Sequence, residues 1–146
     1  MQSCDDFLRF REINQTLVPS VIWKTALDQP KTLESMTFLA KVTCKRPLSE
    51  PTTCLNCEEQ YRDELYHKLF ECGCESLETI ITSYLTNTNS QFSGQFFTFL
   101  KNCDNFTLVP YILGKIDETL TVLLSSDQHK QFMNMNAAFL KAVYAV

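Results

Sequence analysis

Glycine and proline are scarce in this sequence, with three glycines and five prolines among 146 residues. A fold of many short strands would need more of both, because they form most of the tight turns between strands. Phosphate-binding loops also depend on glycine, since only a bare backbone approaches the phosphate closely. The composition therefore disfavours a β-rich fold and a nucleotide-binding loop.

Long apolar runs and clusters of basic charge are also missing. No apolar run approaches the roughly 20 residues that a membrane-spanning helix needs, and residues 1–6 lack a signal-peptide pattern. The 13 lysines and arginines are scattered in a chain of net charge −4, which disfavours nucleic acid as a partner. Seven cysteines are an odd number, which favours free thiols in a reducing compartment. We predict an intracellular protein, cytoplasmic or nuclear, with no membrane partner.

Apolar residue types make up 45% of the chain, which suits one well-packed core. We predict a single domain covering residues 1–146. The apolar residues 142–146 either dock onto this domain or continue into a longer protein, of which the chain would be the N-terminal part.

Apolar side chains recur every three or four positions, the period of an amphipathic helix. We predict an all-α fold of six to seven helices with short connections, arranged as a compact bundle or as a short armadillo- or HEAT-like stack. The stack is suggested by a short pattern shared by residues 33–36, 77–80 and 117–120, whose intervals match a repeat of about 40–47 residues. The principal stripes are Phe7/Phe10/Ile13/Leu17, Leu33/Met36/Leu39, Tyr61/Leu65/Leu69, Leu77/Ile80/Ile81/Tyr84, Val109/Leu113/Ile116/Leu120/Leu123 and Phe132/Met135/Phe139/Leu140/Val143.

Several helix ends can be assigned from residue type. Asn56, with an acid three residues later, predicts the start of a helix that runs to Gly73. A long helix is expected from about Thr107 through Leu123, and Ser126 is the expected cap of the last helix.

The cysteines form the one cluster with a chemical implication: Cys44, Cys54, Cys57, Cys72 and Cys74, with His67 between them. Two cysteines with two residues between them, as in Cys54 and Cys57, can donate two thiolates to one zinc ion. Cys44, Cys54 and Cys57 are the candidate metal ligands. No cofactor is predicted, and structural zinc is the alternative that these three cysteines suggest.

Cys72 fits this site less well, because a continuous helix from residue 57 to 72 would place its ends about 22 Å apart. The alternative is that the cysteines are buried as small apolar residues. His67 and His129 lack an acid at dyad spacing, and we expect both at the surface or its boundary. No catalytic motif is present, so we predict that the protein is not an enzyme.

Phenylalanines crowd between residues 92 and 99. One helix cannot turn all of them inward, because successive residues lie about 100° apart. We predict that Phe96, Phe97 and Phe99, with Trp23, bind a partner protein; the alternative is a helix sandwiched in the core.

The leading hypothesis is therefore a non-enzymatic adaptor, scaffold or regulatory module that binds a partner helix or peptide through an apolar surface. The alternative is a zinc-stabilised module, built on residues 44–74, with a nucleic-acid contact through Lys41, Lys45 and Arg46. The oligomeric state is left open by the sequence.

Overall fold

The computed structural model describes residues 33–45 and 47–146. Its helices are α1 (Leu33–Cys44), α2 (Glu64–Tyr66), α3 (Glu75–Gln91), α4 (Gly94–Asn102), α5 (Asn105–Ile112), α6 (Glu118–Leu123) and α7 (Ser126–Tyr144). A π-helical turn, His67–Glu71, continues α2. Strands β1 (Thr52–Thr53) and β2 (Gln60–Tyr61) pair antiparallel as a small hairpin. The predicted all-α fold is confirmed.

Side-chain caps set the starts of most of these helices. In each case a carboxylate or hydroxyl oxygen accepts the backbone N–H three residues further on, which satisfies an amide that the helix leaves unpaired. The last helix is capped by Ser125, with Gln128 reciprocating, and not by the expected Ser126. The capping residues are Asp63, Ser93, Asp104, Asp117 and Ser125.

The long helix predicted from Thr107 through Leu123 is wrong, because the chain forms two helices there. Gly114 has a φ of 115°, a conformation that glycine adopts readily and that ends α5. Asp117 then caps α6 by accepting the N–H of Leu120 at 3.0 Å. Glycine in this stretch therefore breaks the helix and does not merely weaken it.

The core is built around α7. Phe132 of α7 is fully buried, and Phe92 and Phe96 meet its ring edge-on at centroid distances of 5.8 and 5.0 Å. These ring contacts fix α4, and Phe92 at the C-terminal end of α3, against α7. Edge-to-face aromatic pairs of this kind add to the stabilisation from burial alone.

A buried polar network joins α7 to α3 and α5. Tyr84 of α3 stacks on Phe139 with 4.1 Å between ring centroids, and its hydroxyl donates to Asn136 Oδ1 at 2.7 Å. The amide of Asn136 donates in turn to the carbonyl of Ile112 at 3.0 Å. The polar groups of Tyr84, Asn136 and Ile112 thus satisfy one another, which is what makes their burial tolerable.

The C-terminal end of α7 meets α1 and the π-helical turn. Phe38 of α1 contacts Tyr144 edge-on at 6.0 Å, and Lys45 Nζ lies 4.2 Å above the same ring. Lys68, in the π-helical turn, donates to the carbonyl of Val146 at 2.9 Å. These contacts attach the turn that carries His67 to the helical core.

Within residues 33–45 and 47–146, no helix combines the length and the apolar composition that crossing a membrane requires. Three features of the sequence analysis lie outside the described residues: the predicted helix over residues 7–17, the partner-binding candidate Trp23 and the basic residue Arg46.

Candidate metal centre

Four side chains converge beside the hairpin: Cys54, Cys57, His67 and Cys72. Their ligand atoms all lie within 4.8 Å of one another. The sulfurs of Cys54 and Cys72 are 3.9 Å apart, and Cys57 Sγ lies 3.4 Å from His67 Nε2. Tetrahedral zinc, with bonds of about 2.3 Å to sulfur and 2.0–2.1 Å to nitrogen, implies separations of about 3.8 and 3.5 Å. These two pairs are therefore already at the spacing of a zinc site.

The hairpin positions two of these ligands. Between its strands, Cys54 donates its N–H to the carbonyl of Glu59 at 2.7 Å and accepts from the N–H of Glu58 at 2.9 Å. Glu58 has a φ of 65°, a left-handed conformation that non-glycine residues rarely adopt. This tight reversal brings Cys57 back beside Cys54. The N–H of Asn56 points at Cys54 Sγ at 3.4 Å, so Asn56 belongs to the turn that carries Cys54 and Cys57 and is not a helix cap.

The π-helical turn positions the other two ligands. Cys72 donates its N–H to the carbonyl of His67 at 2.7 Å, a hydrogen bond that spans five residues. In an α-helix, side chains five residues apart point about 140° away from each other. The wider π turn reduces that divergence and returns Cys72 to the side of His67. Single turns of this kind are frequent at functional sites.

The sequence argument that separated Cys57 from Cys72 by about 22 Å is wrong, because no continuous helix joins them. The chain passes through β2 after Cys57, and α2 begins only at Glu64. Two of the three predicted ligands, Cys54 and Cys57, belong to the cluster. The third, Cys44, is the exposed last residue of α1 and is not among the four.

The sulfur atoms of Cys54 and Cys72 differ in their electrostatic surroundings. Hydrogen bonds from the backbone N–H groups of Cys57 and Asn56 lower the pKa of the Cys54 thiol to about 6. Burial raises the pKa of the Cys72 thiol to about 11, and the neighbouring sulfurs add to that rise. Cys54 is thus ready to act as a thiolate ligand, whereas Cys72 needs the positive charge of a cation to lose its proton.

His67 is held inside the site and not at the surface, as was expected from the sequence. The residue is only 1% exposed, and the ring of Tyr61 stacks on it at 4.8 Å with 14° between the planes. Nε2 faces the sulfur of Cys57. The opposite nitrogen, Nδ1, is buried, has no hydrogen-bond partner in the part of the chain that the structure describes, and lies 4.0 Å from Glu71 Oε1.

His129 is also buried, on α7, in contrast to its expected place at the surface or its boundary. Its ring lies 6.5 Å from that of Phe132. Burial lowers the pKa of His129 to about 4, so the imidazole is neutral at physiological pH. It belongs to the helical core and not to the metal centre.

The structure places the predicted partner-binding phenylalanines in different environments. Phe96 is fully buried against Phe92 and Phe132, so it has no surface for a partner. Phe97 and Phe99 are half-buried, and Phe99 packs on Tyr111 at 5.3 Å. The core alternative therefore accounts for Phe96.

Comparisons with known proteins add no relative. No protein-family model, curated protein or solved structure matches the chain. The three segments of the suggested repeat fall at the start of α1, in the first part of α3 and at the cap of α6, which are 12, 17 and 6 residues long. The repeat stays a prediction, and the functional interpretation depends on the metal centre.

Proposed function

We propose that this chain is a non-enzymatic helical module stabilised by one zinc ion, bound by Cys54, Cys57, His67 and Cys72. The observation that carries the proposal is the convergence of three sulfurs and one imidazole nitrogen within 4.8 Å. These ligands come from a hairpin, a π-helical turn and the residue that follows that turn. Unrelated buried cysteines have no reason to meet a histidine at tetrahedral separations.

The set of donor atoms supports zinc over other common metals. Thiolate and imidazole ligands suit zinc, whereas calcium, magnesium and manganese prefer carboxylate, carbonyl and water oxygens. Three cysteines with one histidine are a usual ligand set of structural zinc sites. The cluster itself contains no carboxylate.

The number of ligands supports a structural role for the ion. Four protein side chains complete a tetrahedron, whereas a catalytic zinc keeps one position open for water or substrate. The cluster is also shielded, since Cys54, His67 and Cys72 are buried and Cys57 is half-buried. The proposal therefore assigns stability, and not catalysis, to this centre.

The segment that holds the hairpin has few other sources of stability. From residue 47 to 63 the only buried residue is Cys54, and each strand of the hairpin is two residues long. An isolated two-stranded hairpin is marginally stable in water. Bonds from zinc to Cys54 and Cys57 would attach this segment to His67 and Cys72.

Metal analysis of protein purified without chelator tests the proposal. We expect close to one zinc per chain in the wild type and almost none in Cys72→Ser. Cys103→Ser is the matched control, because Cys103 is half-buried but outside the cluster, and it should keep its zinc. A wild-type protein that binds zinc no better than Cys72→Ser would contradict the proposal.

Two uses of the module stay predictions. The first is binding of a partner protein, for which the exposed apolar side chains of Leu55, Phe106 and Val122 are available. Single exposed apolar residues are ordinary on protein surfaces, so they do not select a partner. The second is a nucleic-acid contact, for which α1 offers Lys41, exposed near its C-terminal end.

A further inference from the structure

One ring nitrogen of His67 has no hydrogen-bond partner among the described residues. Nδ1 is buried and has no hydrogen bond within the described residues. Its nearest recorded carboxylate atom is Glu71 Oε1 at 4.0 Å, from the residue four positions later in the same turn. The Glu71 side chain is 53% exposed, so it can move without disturbing the core.

Metal ligation at the opposite nitrogen decides what Nδ1 requires. Nε2 lies 3.4 Å from Cys57 Sγ, on the side where the four ligand atoms converge. A histidine that binds a metal through Nε2 carries its ring proton on Nδ1. A buried N–H needs an acceptor, and metal-binding histidines almost always donate this proton to a carboxylate, a carbonyl or water.

We propose that Glu71 is a positioning residue of the zinc centre and accepts the Nδ1–H of His67. This inference rests on the proposed zinc binding by the four ligands. A shift of about 1 Å in the flexible Glu71 side chain converts the 4.0 Å approach into a hydrogen bond of ordinary length. The negative charge of Glu71 then makes His67 a stronger ligand and selects Nε2 as the ligating atom.

Tyr61 and Glu71 restrain different motions of the His67 ring in this arrangement. The ring of Tyr61 covers the face of the imidazole at 4.8 Å, which fixes the plane of the ring. A stacked ring does not fix the rotation of the imidazole within that plane. The hydrogen bond to Glu71 supplies this second restraint, so that Nε2 stays directed at the metal position.

Competition with a chelator, with Zn²⁺ as the probe, tests the inference on the full chain. We expect Glu71→Ala to bind zinc about 10–100-fold more weakly than the wild type, the usual effect of removing such a partner. Glu71→Gln keeps an oxygen acceptor and should recover part of the loss. Glu78→Ala makes the same change in charge at an exposed site in α3 and should bind as the wild type does.

A spectroscopic measurement separates positioning from a general loss of stability. Long-range proton–nitrogen NMR of the zinc-loaded protein should show His67 protonated on Nδ1, with a signal that moves in Glu71→Ala and not in Glu78→Ala. Far-ultraviolet circular dichroism should show equal helix content in both variants. An unchanged zinc affinity and ring signal in Glu71→Ala would overturn the role of Glu71 while leaving zinc binding intact. A wild-type protein that binds no zinc would overturn both.

Discussion

Residues 47–74 and residues 75–146 bury different kinds of side chain. In the second region the buried side chains are almost all apolar, and rings such as Phe96 and Phe132 pack at 5.0 Å between centroids. In the first region Leu65 is the only buried aliphatic residue, and the other buried side chains are those of Cys54, His67 and Cys72. The second region has a hydrophobic core, and we propose that the first depends on zinc binding by Cys54, Cys57, His67 and Cys72.

A bound metal is one means by which a chain of this size can fix a segment that has no core of its own. Residues 47–63 leave Leu48 and Leu55 exposed and bury too little apolar surface to offset the entropy of ordering the chain. A metal cross-link needs only four well-placed side chains, and its binding energy becomes folding energy. The two regions should therefore respond to different perturbations.

Removal of a ligand should have the largest effect, and it should be confined to the first region. We expect Cys57→Ser to weaken zinc binding more than about 100-fold, beyond the 10–100-fold range of changes outside the ligand set. Competition with a chelator measures the affinity. Cys44→Ser is the matched control, because Cys44 was predicted as a ligand and lies outside the cluster; an equal loss in Cys44→Ser would place it in the centre.

Removal of a buried ring should mainly weaken the second region. Phe132 is fully buried at the middle of α7, so Phe132→Ala should lower the free energy of unfolding by about 3–5 kcal/mol. Chemical denaturation followed by circular dichroism measures the change. Val122→Ala, at a side chain that is 85% exposed, should change stability by less than about 0.5 kcal/mol. Equal effects of the two substitutions would show that α7 does not carry the core.

Acid should weaken the second region through His129. Burial lowers the pKa of His129 to about 4, whereas the unfolded chain takes up this proton below about pH 6.5. Neutral His129 therefore makes its full contribution to the free energy of unfolding above about pH 6.5, and this contribution is lost as the pH falls toward 4. The expected loss between pH 7.5 and pH 5 is about 2 kcal/mol. Denaturation of zinc-free protein at both pH values, compared with His129→Gln, measures it. A pH dependence that is identical in the variant would contradict this assignment.

Removal of a helix cap should have the smallest effect. Ser125 accepts the N–H of Gln128 at 3.2 Å, and Gln128 accepts the N–H of Ser125 at 3.0 Å. Ser125→Ala should therefore cost about 1 kcal/mol of stability. Ser126→Ala, one residue inside the helix, should be nearly neutral by the same denaturation measurement, and the reverse order would restore Ser126 as the cap.

The helices of the second region could be predicted from the sequence because their patterns are local. The apolar stripes of α3 and α7 bury Leu77 and Tyr84, and Phe132, Phe139 and Leu140, as expected. The errors came from single residues with backbone effects. Gly114 ends α5 through its positive φ, and a stripe of apolar residues does not contain that information.

Only two of the four residues of the proposed metal centre, Cys54 and Cys57, could be predicted from the sequence. The spacing of Cys54 and Cys57, with two residues between them, is typical of a zinc-binding turn, because both sulfurs come from one short segment. The contribution of His67 and Cys72 depends on a π-helical hydrogen bond and on a left-handed Glu58, neither of which has a dependable sequence signal. The spacing of His67 and Cys72, with four residues between them, is the one available sign, because a π-helical turn brings residues at this spacing to the same side.

Hydrogen exchange of the backbone amides, with zinc bound and after chelation, tests the central claim most directly. The amides of Leu48 and Cys54 donate hydrogen bonds in the first region, to Arg62 and Glu59. We predict that chelation removes their protection and leaves the amides of α7 protected. Equal protection of both regions before and after chelation would contradict the claim that a metal holds residues 47–74 in place.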